Sequence, residues 1–127
     1  MKILVDTQAL ILAGRDELPK PAALIFASAS NEICFSLVSL WEIAIKSSLG
    51  KLRFKRRISE YYQLLVEEQG LIPVSIEALH IEKVAALPFH HKDPFDRLLV
   101  GQALVERLTI LSGDASFDRY GCKRVWA

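Results

Sequence analysis

Four short apolar runs set the limits on what this chain can fold into. KILVD (Lys2–Asp6), EICFSL (Glu32–Leu37), LIPV (Leu71–Val74) and TILSGD (Thr109–Asp114) are separated by stretches of helical pattern. Apolar runs this short, without strict alternation, read as strands covered on both faces. Strands that alternate with helices predict an α/β domain on a parallel sheet. KRVWA at the end of the chain predicts a short fifth strand. The expectation is a three-layer α/β/α sandwich with a mostly parallel sheet of four to five strands, spanning residues 1–127 as one domain.

The helices carry their own punctuation. TQALILAG closes on Gly14, and PAALIFASAS (Pro21–Ser30) opens with a proline. SLWEIAIKSSLG (Ser39–Gly50) has Ser39 as its expected N-cap. ISEYYQLLVEEQG (Ile58–Gly70), IEALHIEKVAAL and PFDRLLVGQALVERL (Pro94–Leu108) follow. Pro73 within LIPV marks an edge position or an early strand end.

Composition removes several classes. Lys+Arg of 16 against Asp+Glu of 15 leaves a net charge of +1, so any nucleic-acid contact must come from local patches. A hydrophobic share of 51% suits a buried parallel sheet, a sticky partner surface, or both. Cys34 and Cys122 have neither zinc spacing nor a disulfide framework. Asp6 interrupts the first apolar run too early for a signal-peptide core, and no run approaches the ~20 residues of a membrane helix. A reduced, cytoplasmic protein without a membrane partner is the expectation.

Four acids from distant parts of the chain fall where parallel sheets build sites, outside the carboxyl ends of the strands. Asp6 and Asp114 end apolar strands, Glu42 lies one turn into the helix after the second strand, and Asp96 one turn into the helix before the fourth. Each has a capping reading beside the functional one. Asp6 and Asp114 are natural cap or turn residues, and Glu42 completes a capping box in SLWE. Asp93 is the natural N-cap of the long helix, Pro94 its first residue, and Asp96 suits the helix dipole. Helical spacing weighs against mere capping. Leu99, Val100 and Ala103 share a face with Asp96, and Ile45, Lys46 and Leu49 share one with Glu42. A carboxylate in line with the core needs a partner or a metal, and Lys46 is placed to pair with Glu42 at i,i+4. Hard oxygen donors without paired His or Cys suit Mg²⁺ or Mn²⁺. Such an ion offsets the mutual repulsion of clustered carboxylates and makes the set best suited to hydrolysing phosphodiesters with a metal-activated water.

ILVDTQALIL, SLVSLWEIAIKSSLGKL, ALPFHHKDPFDRLLVGQAL and LTILSGDASFDRY, in that order and spacing, resemble the PIN domain, and specifically the VapC-type toxin ribonucleases of toxin–antitoxin pairs. The resemblance covers almost the whole chain. It implies a metal-binding quartet of Asp6, Glu42, Asp96 and Asp114. It implies supporting hydroxyls at Thr7 and Ser112, a cap or supporting role for Asp93, and an additional acid at Asp118. It further implies endonucleolytic cleavage of RNA, often structured RNA, a homodimer, and a cognate antitoxin that blocks the acidic groove.

Other residues carry paired readings. KLRFKRR (Lys51–Arg57) is an RNA-contacting patch or a solvated loop. Arg97 touches a scissile phosphate or the antitoxin, or makes a surface ion pair. His90 and His91 are read as loop packing or helix-end contacts, and Trp41, Phe95 and Trp126 as packing or interface residues. The rival from another class is a non-catalytic α/β binding module whose acids are caps. A dehalogenase-type phosphatase wants an Asp two residues after the first, where Gln8 stands, and a response-regulator receiver wants an Asp after the third strand, where Ser75 stands.

Overall fold

The computed structural model describes residues 1–90 and 93–127. Its five strands are β1 (Lys2–Val5), β2 (Glu32–Ser36), β3 (Ile72–Val74), β4 (Thr109–Leu111) and β5 (Arg124–Val125), in the order β3-β2-β1-β4-β5. Every neighbouring pair is parallel. The expected α/β architecture holds, with five strands, all paired in parallel, among the described residues.

The helices are α1 (Thr7–Gly14), α2 (Lys20–Ala27), α3 (Leu37–Ser48), α4 (Ile58–Gln63), α5 (Ala78–Ala85) and α6 (Pro94–Glu106). Alternation along the strands splits the core between two faces. Ile3, Val5, Ile33 and Phe35 pack with Leu10, Ala22 and Leu65. Leu4, Cys34 and Ile110 pack with Leu99, Val100 and Ala103 of α6. Helices therefore cover both faces of the sheet.

Local departures have physical causes. α3 starts a turn earlier than expected because Ser36, not Ser39, caps it, accepting from the Val38 N–H at 3.0 Å. Both serines are cap-competent and three residues apart, so propensity alone does not separate them. ISEYYQLLVEEQG forms α4 and then runs on as a π-helical turn over Leu64–Glu68. β3 is an edge strand with Pro73 paired to Phe35, where a missing N–H is tolerated. α5 and α6 approach closely at Gly101, where a Cβ would lie 2.8 Å from the His80 carbonyl oxygen and 2.7 Å from Val84 Cγ2.

Candidate functional site at the carboxyl edge of the sheet

The chain leaves β1 toward β2 and returns on the other side at β4, so the β1–β4 boundary is the topological switch point, where parallel sheets open a crevice. Asp6 stands at the end of β1 and anchors this boundary through its N–H to the Leu111 carbonyl, 3.1 Å away. Its carboxylate is 6% exposed. Oδ1 accepts from the Ala9 N–H at 2.7 Å, capping α1, and Oδ2 accepts from the Ser112 hydroxyl at 2.6 Å. The Ser112 oxygen in turn accepts from the Asp114 N–H at 3.0 Å. One hydroxyl thus fixes the first and last acids relative to each other. Asp114 Oδ1 caps the 3-10 turn Ala115–Tyr120 through the Ser116 N–H. Burial pushes the Asp6 carboxyl above its usual range, against the pull of its two hydrogen bonds, and the charges of Asp114 and Glu42 push the same way.

Glu42 reaches this edge from α3. It is 4% exposed, and with Ser36 as the cap it takes no part in a capping box. Its stripe is less buried than the spacing suggests, since Leu49 is 62% exposed, yet the carboxylate itself is enclosed. Oε2 pairs with Lys46 Nζ at 2.8 Å, while Oε1 is buried with no hydrogen-bond partner. Thr7 Oγ1 donates to Ser39 Oγ at 2.9 Å, tying the first residue of α1 to α3.

Asp93 and Asp96 complete the set from α6. Asp93 caps the helix, accepting from the Phe95 N–H at 2.8 Å and the Asp96 N–H at 3.4 Å, with Pro94 at the first position. Asp96 is half-buried, and its partners in the expected stripe, Leu99, Val100 and Ala103, are buried. The Lys46 ammonium has its pKa raised, first by the hydrogen bond to Glu42 and further by the charges of Glu42, Asp93 and Asp96. Glu42 and Asp114 thus act electrostatically on Asp6, and Asp93 and Asp96 act on the lysine that Glu42 holds. The acids all offer oxygen, and a buried carboxylate oxygen without a donor is one that a hard cation satisfies.

Several candidates lie elsewhere or do something else. Arg97 is 6% exposed. Its guanidinium donates to the carbonyls of Pro88, Val84 and Leu87 at 2.8, 3.0 and 3.3 Å and lies over the Phe89 ring. It ties the end of α5 and the following loop to α6. Asp118 is exposed and clamps Arg124, whose Nη1 also donates to the Ser112 carbonyl at 3.1 Å. Burial lies lightly on this pair, and the Arg124 guanidinium lowers the Asp118 carboxyl pKa. Leu52–Arg56 of the basic connector sits with Leu10, Ile11 and Tyr61 around a cavity of about 380 Å³ at the C-terminal end of α1. That is a helix length, about 12 Å, from the Asp6 cap. Trp41 and Phe95 pack edge to face at 5.1 Å, and His90 packs against Tyr120. His91 lies outside the described residues. Trp126 covers Gly113 and lines a cavity of about 220 Å³ that includes Asp6 and Asp114.

A second polar group, at the amino edge, was missed in the sequence. Glu77, His80 and Glu106 bring their ligand atoms within 4.8 Å of one another beside Lys2 and Leu108. Its signal is faint: a lone His in EALH, with its acids 3 residues before and 26 after.

The family model described as "PIN domain" matches residues 3–122. No curated protein matches the chain. Among solved structures, the chain is similar to one in VapBC2 from Rickettsia felis bound to a promoter DNA fragment (TM-score 0.71, 16% identity, 98% of each chain covered). It is similar to one in DNA-bound VapBC from Salmonella typhimurium (TM-score 0.71, 17% identity, 100% of this chain and 99% of that one). It is also similar to one in a toxin–antitoxin complex from Klebsiella pneumoniae (TM-score 0.53, 19% identity, 88% and 86%). At these identities the likeness is one of fold.

Proposed function

Since the chain belongs to the PIN domain family, we propose that it is a metal-dependent endoribonuclease and the toxin of a toxin–antitoxin pair. The observation that carries this reading is the buried Glu42 with one oxygen unpartnered, in the field of the buried Asp6. Asp6, Glu42, Asp96 and Asp114 would hold Mg²⁺ or Mn²⁺. When bound, the ion supplies positive charge against a phosphodiester oxygen and acidifies water.

The chain's own residues do the positioning. The Ser112 hydroxyl and the Ala9 N–H hold both oxygens of Asp6, so the carboxylate meets its ligand in one orientation. The Thr7–Ser39 bond holds α1 against α3 and so sets the position of Asp6 relative to Glu42. A carboxylate of the set accepts the proton of the attacking water.

The VapBC and toxin–antitoxin complexes with this fold support an antitoxin as protein partner, with a second copy of the chain as part of the same reading. Exposed Trp41, Leu79, Ile81 and Phe89 supply apolar surface for such contacts. No helix among the described residues is long and apolar enough to cross a membrane; a cytoplasmic setting remains part of the proposal.

The rival is a binding module whose acids are caps. Asp6, Asp93 and Asp114 do cap helical turns. Glu42 is where it fails, since a buried acid inside a helix caps nothing. Cleavage of a mixed RNA substrate in Mg²⁺ or Mn²⁺ separates the two. Asp6→Asn and Asp96→Asn should each abolish cleavage and growth arrest while keeping the circular dichroism of the parent. Full activity in both variants, or cleavage that persists in EDTA, sinks the nuclease reading.

A further inference from the structure

We propose that Lys46 is a tethered counter-cation that occupies the acidic cleft in the absence of metal and competes with metal for Glu42. The inference rests on the metal-site reading above and adds to it how the site is loaded.

Two observations carry it. Lys46 Nζ lies 2.8 Å from Glu42 Oε2, with the lysine side chain 45% exposed and that of Glu42 only 6%. An i,i+4 pair on an open helix surface contributes little. Here one partner is enclosed, and its other oxygen has no donor. Without the ammonium, Glu42 would hold a buried charge with no hydrogen bond at either oxygen. The second observation is reach: α3, which carries Lys46, packs on the start of α6 through Trp41 and Phe95, 5.1 Å apart edge to face, and the charges of Asp93 and Asp96 act on the ammonium.

A divalent ion on Glu42 and an ammonium on the same carboxylate repel at short range in a partly desolvated cleft. Loading therefore requires the pair to open. The lysine stem is fixed one helical turn from Glu42 and partly solvated, so the ammonium swings toward water at little steric cost. The pair thus stabilises the metal-free protein and weakens its hold on metal.

The test is Mn²⁺ binding to the full chain without RNA, read by the electron paramagnetic resonance signal of free Mn²⁺, beside melting curves in EDTA and in saturating Mn²⁺. Lys46→Met keeps the stem and removes the charge. It should tighten Mn²⁺ binding on the order of tenfold and lower the melting temperature in EDTA by a few degrees, with a smaller loss in Mn²⁺. Lys46→Arg should resemble the parent. Lys55→Met, an exposed lysine in the basic connector, removes the same charge and should change neither quantity.

Unchanged or weaker Mn²⁺ binding in Lys46→Met overturns the proposal. So does an equal melting loss with and without Mn²⁺, which is the mark of a purely structural residue. Asp96→Asn keeps the two readings apart. If the parent binds Mn²⁺, Asp96→Asn does not and Lys46→Met matches the parent, only the role of Lys46 fails. If the parent binds none, or Asp96→Asn binds as the parent does, the metal site falls and the role of Lys46 with it.

Discussion

The two edges of the sheet hold similar ingredients in opposite condition. At the amino edge, Glu77, His80 and Glu106 are close enough to share an ion. Yet His80 Nδ1 accepts from the Glu77 N–H at 3.0 Å, which assigns the proton of the neutral ring to Nε2. That proton points at Glu106 Oε1, 3.0 Å away. Neither nitrogen has a lone pair to spare, and the Glu106 side chain is 44% exposed, so water serves it. At the carboxyl edge, two acids are buried, one oxygen of Glu42 has no donor, and the nearest charge is a flexible lysine. Proximity of donor atoms and unmet demand for positive charge thus fall at opposite edges of the sheet.

The contrast is broken most directly by exchanging one acid at each edge. Asp96→Asn should cut RNA cleavage on the order of 10³-fold, the size expected when several kcal/mol of charge stabilisation are lost. Glu106→Gln keeps an acceptor for the His80 proton and should leave cleavage within about twofold. Comparable losses in both variants, measured as initial rates on one RNA, would erase the distinction. A smaller effect tests the packing role of the amino-edge region. Gly101→Ala drives a methyl into the His80 carbonyl and Val84 and should cost about 1–3 kcal/mol by denaturant unfolding.

How far each edge was legible follows from how local its signals are. Strands and parallel pairing were readable because KILV, EICFS and TIL are apolar on both faces. The start of α6 was readable because Asp93-Pro94 is a cap and a first-turn residue in adjacent positions. That Glu42 and Asp114 act on Asp6 was legible only as a list of element ends, since strand order decides which ends meet. The partners of Arg97 were not legible because they are backbone carbonyls, which have no sequence signature. The basic connector follows Glu42 in sequence, yet α3 carries the chain away to the far end of α1. His80 gave no warning because its partner lies on a different helix.

The smallest effect isolates the strain that the acidic cluster imposes on its own fold. Asp6 has a carboxyl pKa raised above 3.8 by burial, with Asp114 and Glu42 adding to it. For an acid raised on folding, the native state holds more protons than the unfolded chain between the two pKa values. Its contribution to stability is then fully present below the unfolded value and is lost as pH rises through the folded one. In EDTA, the parent's melting temperature should therefore carry a downward component as pH rises from about 4 toward neutrality. Asp6→Asn has no carboxyl to ionise and should lack that component, so the difference between variant and parent should grow over the same window. Saturating Mn²⁺ should shrink the difference, since a cation favours the ionised form. Parallel melting profiles for Asp6→Asn and the parent across that window would mean that the carboxyl edge is as satisfied as the amino edge, and the contrast between them would be lost.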